Sequence, residues 1–97
     1  MNESVQYSKT TQMNFGEALQ ALKDGKRVER TGWNGRGLFL YYVPGGEFPA
    51  LTDVAKKYIG ETVKYNPYIA IKQADNTVST WSPSIGDSVA EDWQIVE

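Results

Sequence analysis

The segment from Asn14 to Gly25 constrains the fold most, because it carries the full chemistry of one short helix. Asn14 and Glu17 stand three apart as N-cap and N3 of a capping box, in which each side chain bonds the other's backbone N–H. Phe15, Ala18, Leu19 and Leu22 recur at helical spacing, and Gly25 follows in the place where a left-handed residue ends a helix. An apolar stripe that narrow must lie against something, and the rest of the chain reads mainly as strands.

Val28 to Arg30 is expected to be a short strand, and Leu38 to Val43 a strand covered on both faces, ended by Pro44-Gly45-Gly46. A second, shorter helix is expected across Leu51 to Tyr58, with Leu51, Val54, Ala55 and Tyr58 on one packed face, Pro49 before it and Gly60 after it. Tyr68 to Lys72 and Thr77 to Trp81 read as a hairpin around Asp75-Asn76, residues that tolerate left-handed backbone. Ser84 and Asp87 can cap one turn of helix through Val89, and Trp93 to Val96 closes the chain as a strand. The expectation is an α+β domain over residues 13–97: a small antiparallel sheet of four to six strands packed on the N-terminal helix, with a second short helix in a long connection. Residues 1–12 are polar and without period, an extension that is either loose or adds an edge segment.

A chain of 97 residues makes one small domain that buries roughly two thirds of its unfolded surface, so self-association would help it. The absence of Cys and His removes disulfides, thiolate nucleophiles, Ser-His-Asp chemistry and nearly all zinc sites. A formal charge of −2 argues against a nucleic-acid polymer as partner, and no apolar run approaches a membrane span. The first residues have neither the basic nor the hydrophobic region of a signal peptide. Three Trp, six Tyr and three Phe are many for this length, and point to rings lining a surface or an interface.

The candidate site is the turn Arg30-Thr31-Gly32-Trp33-Asn34-Gly35-Arg36-Gly37. A base can stack on the Trp33 indole, the Asn34 amide can read a base or sugar edge, and the glycines allow positive φ and close backbone approach. The same spacing suits a hairpin turn whose Trp folds back onto the core. Lys26, Arg27, Arg30 and Arg36 bracket the turn and could neutralise phosphates, or could simply solvate an edge strand. Ser79, Ser82, Ser84 and Ser88 around Trp81 are either hydroxyl donors or turn formers. Asp75, Asp87, Glu91 and Asp92 match no metal motif, and nothing places two carboxylates across a cleft, so neither a metal nor a catalytic residue is expected.

Four blocks, residues 13–28 from Met13 through the capped helix, Arg30-Thr31-Gly32-Trp33-Asn34-Gly35, Pro67-Tyr68-Ile69-Ala70-Ile71-Lys72 and Ala90-Glu91-Asp92-Trp93, resemble in order a small phage and prophage family. That family comprises the Thoeris anti-defence proteins of the second type. The resemblance implies a sponge: a protein that binds the cyclised ADP-ribose messenger of the host's Thoeris TIR enzyme and holds it uncleaved, in the cytoplasm of the infected bacterium. It implies a homotetramer with ligand pockets between protomers, a separate site for cyclic dinucleotides in some members, and no cofactor. Carried over, Trp33 would stack adenine, Asn34 would bond a base or ribose beside Gly35, and Trp81 would form another aromatic wall. Arg30 or Arg36 would face the pyrophosphate, and Asp87 would accept ribose hydroxyls. The alternatives are a phosphodiesterase that degrades such messengers and a protein-binding inhibitor of a host defence factor.

Overall fold

A computed structural model describes residues 9–33 and 36–97. The first helix, α1 (Phe15–Lys23), begins as its sequence requires: Asn14 Oδ1 accepts from the Glu17 N–H at 2.8 Å, and Glu17 Oε1 accepts from the Asn14 N–H at 2.9 Å. It ends in a Schellman turn, with Gly25 N–H donating to the Leu22 carbonyl at 2.9 Å and Lys26 N–H to that of Ala21 at 3.0 Å. Gly25 has φ +91°, which an L side chain would occupy only under strain. Ala18, Ala21 and Leu22 of the helix are fully buried.

Five strands, β1 (Arg27–Arg30), β2 (Phe39–Val43), β5 (Tyr68–Lys72), β6 (Val78–Trp81) and β7 (Trp93–Val96), make one antiparallel sheet in the order β6-β5-β2-β1-β7. Pairing sets Val28 beside Leu40 and Ile95, and Arg30 beside Trp93. Alternation then turns Val28, Leu40, Trp93 and Ile95 toward α1, where with Met13 they form the core. The hairpin closes on Asp75, whose carboxylate accepts from the N–H and hydroxyl of Thr77, and on Asn76 at φ +69°. Ahead of α1, Thr10 and Met13 hydrogen-bond along β7, so this part of the N-terminal extension adds an edge segment.

Strand β2 is not covered on both faces. Leu40 is buried under the helix, whereas Phe39 and Tyr41 point away from it and are half-buried, because α1 contacts the sheet from one side only.

The long connection holds more than a helix. β3 (Gly46–Pro49) and β4 (Thr62–Tyr65) pair as a separate two-stranded arm with α2 (Asp53–Tyr58) between them. Thr52 caps α2 by accepting from the Ala55 N–H. Its expected packed face does not pack: Leu51, Val54 and Tyr58 are exposed, as are Phe48, Ile59 and Tyr65. The arm buries only Ala50 and Val63, having two four-residue strands and one short helix with which to make a core. The Cα radius of gyration is 16.1 Å, where a compact chain of similar length has about 13 Å.

Candidate functional site

Four segments converge beside the N-terminus of α1. A 3₁₀ turn (Thr31–Trp33) leaves the end of β1, Trp81 ends β6, α3 (Ile85–Val89) follows it, and Trp93 begins β7. Trp93 is fully buried and donates its indole N–H to the Asp87 carbonyl at 3.0 Å. Around it stand Phe15, with ring centroids 5.5 Å apart, Trp33, also at 5.5 Å, and Trp81 at 6.0 Å. Trp33 meets Trp81 near-perpendicularly at 6.5 Å. Edge-to-face contacts of this kind orient rings as well as burying them. Trp33 and Trp81 are both half-buried, so each joins the core and keeps part of its surface in solvent.

Polar contacts anchor the aromatic turn at its base. Asp92 accepts from Arg30 Nε at 2.9 Å and from the Thr31 hydroxyl at 3.0 Å, while its carbonyl accepts from the Thr31 N–H at 3.1 Å. Arg30 Nη1 donates to Asp87 Oδ1 at 3.0 Å. The other carboxylate oxygen of Asp87 accepts from the N–H and hydroxyl of Ser84, completing the capping box of α3. Burial opposes ionisation of Asp87, but the Ser84 and Arg30 bonds outweigh it and hold its pKa below the ordinary value. Burial is likewise outweighed at Asp92 by Arg30 and Thr31, and the bonds from Asp92 and then Asp87 raise the Arg30 guanidinium.

The expected site residues therefore fall into three groups. Trp33, Trp81, Arg30 and Asp87 share one region, although Arg30 and Asp87 bond to each other. Arg36 is exposed beyond the turn, where its N–H donates to the Trp33 carbonyl at 3.0 Å. Asn34 and Gly35 lie outside the described residues.

The basic run does not form one patch. Arg27 and Arg30 sit on opposite faces because they are an odd number of residues apart on one strand, and Arg27 instead stacks on Phe39 at 4.8 Å. Ser84 caps α3, and the Ser88 hydroxyl donates to its carbonyl, which makes them local structure formers. Of the turn's glycines, Gly37 uses its freedom at φ +75°, whereas Gly32 has no positive φ.

Thr31, Asp92 and Trp93 are contributors that the spacing of the turn did not reveal. Asp92 and Trp93 follow one another in the chain, but what they contact is set by pairing with residues about sixty positions earlier. One open cleft of about 590 Å³ lies beside the region, lined by Thr11, Gln12, Thr31, Glu91 and Asp92, and another of about 430 Å³ lies at the opposite end of the β1–β7 pair, where it includes Lys26, Arg27 and Glu97. Neither is lined by Trp33 or Trp81. Among the described residues, no group of three or more Asp or Glu side chains is placed to hold a metal ion, and no helix is long and apolar enough to cross a membrane.

A helix-on-sheet domain that sets half-exposed indoles on a polar anchor is the class of protein this fold defines. Residues 13–96 match the family described as the Thoeris anti-defense 2-like domain. The chain is 44% identical over 87 residues to a protein named Thoeris anti-defense 2 from Bacillus phage SP01, covering 89% of this chain and 97% of that protein. The chain belongs to the Thoeris anti-defence 2 family, a family of phage proteins directed against the Thoeris defence.

Proposed function

We propose that the protein counters Thoeris defence by binding a cyclic ADP-ribose isomer and holding it uncleaved, in the cytoplasm of the infected host. The observation that carries this reading is the pair of half-buried indoles, Trp33 and Trp81, at the end of a domain whose family is anti-defence. Each offers a flat surface to a base, and base–aromatic stacking contributes about 1–3 kcal/mol per base. Trp33 stacks the adenine, Asn34 bonds the base or ribose beside Gly35, and Trp81 forms the second wall. Arg36 faces the pyrophosphate, since the charge of Arg30 is already matched by two carboxylates. Asp87 then serves the site through Arg30 and α3 rather than through ribose hydroxyls.

Sequestration suits this chemistry better than turnover. The chain has no Cys or His, and Asp75, Asp87 and Asp92 are engaged in a turn, a helix cap and an ion pair. The working assembly is a homotetramer. Its protomers associate through the apolar surface of the arm, and a neighbouring copy completes the wall that the cleft beside Thr31 and Asp92 leaves away from the tryptophans.

Isothermal titration of the purified protein with cyclic ADP-ribose isomers and cyclic dinucleotides, followed by heat denaturation and chromatography of the released ligand, tests this. Tight binding with intact release is expected. An altered product would make the protein a phosphodiesterase, and no heat with any nucleotide would favour a protein target.

A further inference from the structure

The three bonds that Asp92 accepts all come from the two residues before Gly32-Trp33: Arg30 Nε, the Thr31 hydroxyl and the Thr31 N–H. Beyond Thr31 the backbone makes a single 3₁₀ turn, which is short and poorly hydrogen-bonded on its own. The direction in which Trp33 leaves β1 is therefore set at its base. Arg30 extends the same set of bonds to Asp87, and so to the first turn of α3 and, through the Asp87 carbonyl, to the Trp93 indole on which Trp33 rests. One guanidinium thus ties together the turn, α3 and the start of β7.

From this geometry we infer that Asp92 is a positioning residue for the ligand-binding turn: it holds Thr31 and Arg30 so that Trp33 stays edge-on to Trp93, and it sets affinity without touching ligand. The inference rests on the reading of the Trp33 turn as the binding site. The side chains of Arg30, Asp87 and Asp92 are 30%, 16% and 37% exposed, so solvent screens these ion pairs and their main effect is on geometry rather than on global stability. A turn held in the competent geometry a tenth of the time binds about tenfold more weakly, because apparent affinity scales with the competent fraction.

Two variants separate this from a merely structural role. Asp92→Asn removes the charge opposite Arg30 at constant shape, and Thr31→Val removes a single bond to Asp92 while leaving the ion pairs in place. Asp75→Asn, in the hairpin turn, serves as the control. Each is measured by titration with the cyclic ADP-ribose isomers, by thermal melting, and by near-UV circular dichroism, which reports the coupled Trp33, Trp81 and Trp93 rings without any ligand. The expected result for Asp92→Asn is a near-UV spectrum that moves toward that of Trp33→Phe, an unchanged far-UV spectrum, and an affinity lowered about tenfold. Thr31→Val should change both in the same direction by less, and Asp75→Asn should change neither. Wild-type near-UV signal and affinity in both Asp92→Asn and Thr31→Val would overturn the inference. Should Asp92→Asn not fold, Thr31→Val decides it alone. If the wild-type protein binds none of the nucleotides, the reading of the site fails, while the near-UV spectra still decide whether Asp92 holds Trp33.

Discussion

Trp33 and Trp93 stand 5.5 Å apart between ring centroids at 82°, a half-buried ring set edge-to-face against a fully buried one. The two have different duties although they touch. Trp93 fills the core and is fixed by its bond to Asp87, while Trp33 rests on Trp93 and keeps part of its surface in solvent, where the proposed ligand would stack.

Trp33→Ala should therefore weaken nucleotide binding by about 1–3 kcal/mol, the loss of one base–aromatic stack, while the fold survives. Titration read beside thermal melting checks this. Wild-type affinity in the variant would remove Trp33 from the site.

Trp93→Ala should instead destabilise the whole domain, by about 3–5 kcal/mol, because a large side chain with no exposed surface is replaced by a cavity. Denaturant unfolding with far-UV detection measures it. A loss well under 1 kcal/mol would mean that the core closes without this ring.

Self-association through the arm predicts that Leu51→Asp with Val54→Asp dissociates the assembly. Both residues are exposed in the single chain, at 89% and 68%, so the fold of each protomer should change by only about 0.5 kcal/mol per site. Light scattering after size exclusion should report monomers. An unchanged mass would place the contact elsewhere.

Gly45 lies at the base of the arm, where an added Cβ would come within 2.5 Å of the Tyr65 carbonyl oxygen. The obstacle is backbone and cannot swing aside as a side chain would. Gly45→Ala should thus open the β3–β4 pairing at a cost of about 1–3 kcal/mol, seen as faster amide exchange in residues 46–48 and 62–65 and little change in α1. Uniform protection across the arm would refute it.

Stability should fall on acidification. The folded-state pKa values of Asp87 and Asp92 lie below the ordinary one, despite burial, because of Ser84, Arg30 and Thr31, and that of Glu17 is lowered first by the Asn14 backbone N–H. Groups lowered on folding add stability above their unfolded pKa and lose it as pH drops through the folded one. Melting temperature should hold from neutral pH down to about 5 and decline below about 4, the ordinary carboxylate range. The decline should be shallower in Asp92→Asn, and a flat profile to about pH 3 would contradict the assignment.

Much of this architecture was legible locally. Asn14, Glu17 and Gly25 specify α1 through bonds that close within a few residues, Asp75 and Asn76 specify the hairpin turn, and Ser84 with Asp87 specifies α3. The hairpin signal around Asp75-Asn76 located β5 and β6, and the closing run Trp93 to Val96 located β7. The arm was not legible, because β3 and β4 are four residues each, β3 begins with Gly and ends with Pro, and the two become strands only by pairing with one another across α2.

For the site, the order of residues picked out Trp33 and Trp81 as large aromatics on a turn and at a strand end, but not their neighbours. Arg30 reads as a cation free to meet phosphate until β1 pairs with β7 and brings in Asp92 from 62 positions away. Arg27 and Arg30 read as one basic run until the sheet sends them to opposite faces. Capping and turn chemistry act over three or four residues and are written in the chain. Which carboxylate neutralises which guanidinium, and which ring supports which, depends on strand register, and register exists only once the sheet has formed.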